Sequence, residues 1–367
     1  MLPVIQFTER PGILDLGCGH PSPGLLPVEP WLAAAQQSAR SYGWQALTYG
    51  TVAGPGPLIE WLSEHLATTN FFITAGASHA LALITSLLAE PGDTVLVDAP
   101  SYHFALRILG DRGVRLVAAP PDLDGCIASL RAAGHRVPML YLVPTFGNPT
   151  GASVPEDRRR YLVEVARRTG VTLVEDDTYR ELAYDGPAPV SLWDLAGGSE
   201  GTGVVRIGSF AKTVAPGLRL GWINASPALI GRLGDLGYVD SGGGVNHANA
   251  LTMASFCASG LFEQHVAELR SAYRERRDIL AGALPGFDVE LPAGGWFLWV
   301  RLPAGLTARA LLPVAERHGV SFVPGPSFYP SPDPDGERYV RLAFSFLDPP
   351  DLRAAAGNFV RAVANSS

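Results

Sequence analysis

The chain has 367 residues, 47% hydrophobic and 17% charged, which is enough for a sizeable core and too apolar for intrinsic disorder. Acidic residues number 35 against 28 basic ones, and a formal charge of −7 gives no support to a nucleic-acid partner, which needs a basic surface. Of those 28 basic residues only Lys212 is lysine. Compositional bias toward arginine accounts for the missing lysines and says nothing about the one that remains. Cys18, Cys126 and Cys257 are far apart and show neither disulfide nor metal-ligand spacing, so no metal site is expected. No apolar run reaches the roughly 18 residues of a membrane span. The leading residues lack the basic-then-apolar pattern of a secretion signal, so a soluble cytoplasmic protein is the expectation.

The first 40 residues are rich in Gly and Pro and hold a helix candidate at 31–42. A turn-rich stretch from Thr48 then leads into a short helix. From Phe71 strands and helices alternate. FFITAG reads as a strand and tight turn, SHALALITSLLAE as a helix, TVLVDAP as a strand and SYHFALRILGDRG as a helix. VRLVAAP is a strand, the stretch after Asp124 helical, and VPMLYLVP a strand. PEDRRRYLVEVARRTG is a helix with Pro near its start and Gly just past its end. VTLVEDD and GVVRIGSF are further strands. Apolar β-runs joined by helices predict an α/β fold with a mainly parallel sheet covered on both faces. After Gly221 the pattern changes. SPALIGRLGDLG and one long segment, 249–283, read as helical. The strands GGWFLWVRLP and YVRLAFSFLD, between helices at 308–318 and 351–363, predict a smaller α+β domain.

In open α/β sheets ligands bind beyond the carboxyl ends of the strands. TAGASHAL, at 74–81, is a Gly turn feeding a helix whose first N–H groups suit a phosphate, although most such turns are only turns. VPTFGNPTG, at 143–151, is a rigid loop around Asn148-Pro149. VEDDTY, at 174–179, ends a strand in carboxylates, and a buried one needs a partner such as a protonated ring nitrogen. In GSFAKTVAPGLRLGW, at 208–222, Lys212 sits among small and apolar residues. A desolvated lysine has a depressed pKa and attacks carbonyls to form a Schiff base. Ser209 and Arg219 suit phosphate oxygens. Taken alone, Lys212 fits a surface lysine that escaped substitution equally well.

Together, NPTG, EDDTY and GSFAKTVAPGLRLGW in this order, with RLAFS near the C-terminus, resemble the fold-type I pyridoxal-phosphate enzymes of the class I/II aminotransferase family. Within it the chain is most similar to the subgroup of 2-aminoadipate and kynurenine aminotransferases and the aminotransferase-like domain of GntR-type regulators. The resemblance spans nearly the whole chain. It implies an N-terminal segment, 1–45, that joins the small domain and closes over substrate; a large cofactor domain, 46–275; and a small C-terminal domain, 276–367. Lys212 would form the Schiff base with pyridoxal 5'-phosphate and shuttle the α-proton. Asp176 would hold the pyridine nitrogen protonated. Tyr179 and Asn148 would bond the ring hydroxyl, and Tyr102 would stack on the ring. Ala77 and Ser78, with Ser209 and Arg219, would cup the phosphate. Tyr49 would reach the cofactor of a partner subunit, which implies a homodimer with shared sites. Arg341 would clamp the substrate carboxylate with a geometry lysine lacks, assisted by Asn148, with Gly19 in the closing segment. The implied reaction moves an amino group from an L-α-amino acid to a 2-oxo acid such as 2-oxoglutarate, in ping-pong fashion through aldimine and ketimine.

The chain departs from the subgroup at several places. Gly147 stands where Gln is common, Ala77-Ser78-His79 replaces a Gln-rich turn, and Ile59 replaces an arginine. SGGGVNHAN, at 241–249, places His247 near the expected cofactor region. His103 is a candidate to approach substrate, Cys18 to line the entrance, and Trp31 and Phe328 to form an apolar pocket. Two other outcomes compete with transamination. One is β-elimination, decarboxylation, racemisation or amino-acid oxidation on the same cofactor. The other is a non-catalytic effector-binding module, against which the full set of Lys212, Asp176, Tyr179 and Arg341 argues.

Overall fold

The computed structural model describes residues 10–198 and 203–366. Residues 1–9, which were read above for a secretion signal, lie outside the described residues. A first short strand, β1 (Leu14–Asp15), precedes the helix Val28–Tyr42. The central sheet uses β2 (Phe71–Thr74), β3 (Thr94–Val97), β4 (Arg115–Ala118), β5 (Met139–Leu142), β6 (Thr172–Asp176), β7 (Val204–Ser209) and β8 (Gly221–Asn224). Its order is β2-β8-β7-β6-β5-β3-β4. Only β8 runs against its neighbours. The side chains of β2, β3 and β5 are buried throughout, as expected for strands covered on both faces, whereas the edge strand β4 has exposed ends and a half-buried middle.

The intervening helices carry the signals that define them. The helix Glu156–Thr169 starts after Pro155 with Glu156 and Asp157 in its first turn. It ends with Arg167 and Arg168 before Gly170, whose φ of 70° is left-handed. Acids at the start and bases at the end complement the helix dipole, and glycine closes it without strain. Two sequence expectations change. Gly221–Asn224 belongs to the central sheet, as the antiparallel strand between β2 and β7. The helical stretch 249–283 is two helices, His247–Ala258 and Leu261–Gly282, broken where Gly260 turns left-handed.

A smaller α+β unit follows, with β9 (Phe297–Arg301), β10 (Val320–Ser321), β11 (Val323–Pro324) and β12 (Tyr339–Ala343). Strands β11, β12 and β9 form an antiparallel sheet in that order, and β10 pairs in parallel with β1. Hydrogen bonds from Leu16 N to Ser321 O and from Ala343 N to Leu16 O stitch the N-terminal segment onto this unit. Among the described residues no helix is long and apolar enough to cross a membrane.

Candidate active site

Because β2, β3, β5, β6 and β7 all point the same way, the residues that follow them meet at one edge of the sheet. Thr74 leads into Gly76, β3 toward Tyr102, β5 toward Asn148, β6 ends on Asp176 and β7 leads to Lys212. On the other side β12 presents Arg341, and the segment after β1 lays Gly17, Gly19 and His20 beside it. These groups line one cavity of about 620 Å³.

At its floor the Nζ of Lys212 lies 4.5 Å from the Trp296 ring centre and 5.7 Å from that of Tyr179. Burial is the largest influence on this amine and lowers its pKa to about 8; Asp176 opposes the shift, while Arg341 and Arg219 reinforce it. A lysine with a pKa near 8 has a substantial neutral, nucleophilic fraction at physiological pH. Asp176 is buried, which raises its pKa, while hydrogen bonds from Tyr141 and Thr178 pull it back. The Tyr141 hydroxyl donates to Asp176 Oδ2 at 2.8 Å with both groups buried.

Arg341 is 3% exposed, and its Nη1 donates to Asn148 Oδ1 at 2.9 Å and its Nη2 to Gly17 O at 2.7 Å. Its Nε is buried without a partner, a donor still to be satisfied. Burial lowers its pKa to about 10, which leaves it cationic at neutral pH. The guanidinium lies 4.3 Å from the Phe297 ring centre and 5.1 Å from that of Phe328.

Opposite, the helix Ala77–Leu88 opens toward the cavity through Ala77 and Ser78, with Ser209 and Arg219 beside them. Gly76 is required here. Its φ is +91°, and a Cβ would sit 2.9 Å from Arg219 Nη2. The remaining wall, between Arg341 and the sheet, is made by Phe104, Phe297, Val323, Pro21, His20 and His103. Burial lowers the pKa of His103 to about 3 and also lowers that of His20, where the charge of Lys212 adds to the effect. Both imidazoles are therefore neutral at pH 7.

Of the residues singled out from sequence, Gly19, Ala77, Ser78, Tyr102, Asn148, Asp176, Tyr179, Ser209, Lys212, Arg219 and Arg341 all line this cavity. Tyr49 does not; it is 80% exposed on the outer surface. The bond Asn148–Pro149 is cis. Four candidates are corrected. His247 is outside the cavity, its Nε2 against Gln45 O at 3.0 Å. Cys18 is buried behind the wall, Trp31 packs on Phe256, and Phe328 lies fully buried beneath His103 and Trp299. Sequence reasoning missed Tyr141, whose position in an apolar strand reads as core, and Phe297, whose place opposite Ala343 follows only from strand register.

A lysine of low pKa, a buried carboxylate across from it and an N–H-rich helix start beside an arginine fit a phosphorylated pyridine aldehyde. The amine would take the aldehyde, the carboxylate would hold the ring nitrogen and the helix start the phosphate. The family model described as aminotransferase class I and II matches residues 11–359. The chain is 34% identical to the 2-aminoadipate transaminase of Thermus thermophilus, over 94% of this chain and 88% of that protein. It is 30% identical to aromatic-amino-acid aminotransferase 1 of Thermococcus litoralis, over 95% of this chain and 88% of the relative. The crystal structure of the Pyrococcus horikoshii kynurenine aminotransferase superposes with a TM-score of 0.89 at 31% identity, covering 97% of this chain and 91% of that one. Sequence, fold and site agree: the chain belongs to the class I and II aminotransferases, pyridoxal-phosphate-dependent enzymes of fold type I.

Proposed function

We propose that this aminotransferase takes its amino group from an L-α-amino acid with an uncharged, aromatic or medium aliphatic side chain and passes it to a 2-oxo acid. The observation that carries the donor class is the wall between Arg341 and the sheet, built from Phe104, Phe297, Val323 and the neutral His103. Such a surface favours an apolar group and leaves a charged one unsolvated.

The roles follow from position. Arg341 holds the substrate carboxylate, with Nε–H and the remaining N–H groups of its terminal nitrogens as donors, while Asn148 and Gly17 fix its plane. Lys212 anchors the cofactor covalently. Its amine, when free, would take the α-proton and return it, as a base of pKa near 8 is suited to do. Asp176 faces the ring nitrogen and holds its proton, and Tyr141 holds Asp176. Tyr179 and Asn148 would bond the ring hydroxyl, and Tyr102 would cover the ring face. Ala77, Ser78, Ser209 and Arg219 take the phosphate. When bound, the cofactor supplies the electron sink for the pair left at the α-carbon.

The exposed Trp44, Leu47 and Tyr49, 75%, 86% and 80% accessible, support a homodimer in which this surface is covered and Tyr49 serves the neighbouring site.

A spectral screen of donors against the pyridoxal form tests the reading. Conversion to the pyridoxamine form is expected with phenylalanine, tyrosine or leucine, with return on adding a 2-oxo acid. Turnover that needs no 2-oxo acid would assign the chain to elimination, decarboxylation or racemisation instead. Preference for a dicarboxylic donor would overturn the donor class.

A further inference from the structure

The turn before the helix Ala77–Leu88 is held at the two peptide units that flank Ala75. The N–H of Ala75 donates to His79 Nδ1 at 3.0 Å, and the carbonyl of Ala75 accepts from Arg219 Nη2 at 3.2 Å. Thr74 Oγ1 donates to Gly76 O at 3.1 Å, and Ala80 N closes the first helical turn on the same oxygen at 3.0 Å. Arg219 is itself fixed, because its carbonyl and that of Leu218 both accept from the Asn246 amide. These bonds set the two peptide units around Ala75, from which the chain enters the helix whose first residues, Ala77 and Ser78, line the cavity.

We propose that His79 is a positioning residue for the cofactor phosphate, its Nδ1 holding the Ala75 N–H so that the N–H groups of Ala77 and Ser78 stay aimed at the phosphate oxygens. The inference rests on the pyridoxal-phosphate reading of the cavity and concerns a residue with no contact of its own to the cofactor. A ring nitrogen that accepts a hydrogen bond carries no proton, so the working form is the neutral imidazole with its proton on Nε2. The surroundings favour that form. Burial, and then the charge of Arg219, lower the pKa of His79 below the usual histidine value. The other group against the ring is Tyr238, 6.1 Å away between centres. Protonation of His79 removes the acceptor, frees the Ala75 peptide and loosens the turn.

The test titrates cofactor-resolved holoenzyme with pyridoxal phosphate and, separately, with pyridoxal, following the absorbance of the Lys212 adduct. In His79→Leu the affinity for pyridoxal phosphate should fall about five- to tenfold, the size of one partly buried hydrogen bond. Affinity for pyridoxal, which has no phosphate, should stay within about twofold. His79→Gln, whose amide oxygen can accept from Ala75, should restore the wild-type value. As pH falls below the ordinary histidine range, wild type should converge on His79→Leu while His79→Gln keeps its advantage over both. Equal weakening of both ligands, no weakening of either, or failure of glutamine to rescue would overturn the proposal. A wild-type protein that takes up neither ligand at Lys212 would overturn the cofactor reading instead, and that outcome involves no variant.

Discussion

At the scale of single residues the site is a set of charges whose ordinary pKa values burial has moved. Lys212 is the clearest case, since burial favours its neutral form and the cations Arg341 and Arg219 add to the effect. Because the folded pKa is lowered to about 8, uptake of pyridoxal phosphate by the cofactor-free protein should rise through pH 8 and level above it. A midpoint near 10, the range of free lysine, would refute the assignment. Lys212→Arg should abolish turnover, and borohydride trapping followed by mass spectrometry should find no labelled lysine, because no other lysine exists in the chain. Asp176 depends on a second residue. Tyr141→Phe removes its buried hydrogen bond and leaves the carboxyl to drift upward, so kcat should fall about tenfold with little change in KM. An unchanged kcat would reduce Tyr141 to packing. The two residues were unequally legible. A lone lysine in a chain of arginines stands out by chemistry, whereas a tyrosine in MLYL has the pattern of any buried strand, and only the pairing of β5 with β6 brings it to Asp176.

At the scale of elements, the apolar runs of the parallel strands and the Pro-to-Gly frame of Glu156–Thr169 were readable because each is a local pattern. Strand β8 was not, since GWIN is short and its place between β7 and the distant β2 comes only from pairing. The break at Gly260 was obscured by continuous helical periodicity on both sides. The glycine-rich stretch 241–244 stands out in the sequence, which assigns it no role. It makes no part of the cavity and is the seat of the loop 49–51. Gly244 N donates to Thr51 O at 2.8 Å, and Gly243, with φ +79°, packs so closely that a Cβ would collide with the Gly50 carbonyl. Gly243→Ala combines a left-handed backbone with that collision. A loss of about 1–3 kcal/mol of stability is therefore expected in chemical denaturation. A change below about 0.5 kcal/mol would show that the loop yields without cost.

At the scale of the molecule, one stretch of the surface is unusually apolar. Val28, Leu32, Trp44, Leu47, Tyr49 and Val52 are all more than half exposed and lie between residues 28 and 52, on elements that pack against the helix His247–Ala258. Single exposed apolar residues are ordinary, but this many within one segment make the surface that the proposed homodimer would cover. The same segment carries Tyr49, and the glycine seat at 242–244 holds it against the element that leads through Asn246 to Arg219. A subunit contact here would bring the loop of one chain to the phosphate turn of the other. Leu47→Glu tests this at the contact. Burying a carboxylate in an apolar interface is strongly unfavourable, so sedimentation should show monomers of the variant and dimers of wild type, and cofactor should be lost from the variant on dilution. Monomeric wild type would overturn the proposed homodimer. Tyr49→Phe separates the interface from the site, since it deletes one hydroxyl and leaves the apolar ring. That variant should remain dimeric and bind pyridoxal phosphate several-fold more weakly, while binding of pyridoxal is unaffected. Equal binding of both ligands in a stable dimer would place Tyr49 in the interface alone.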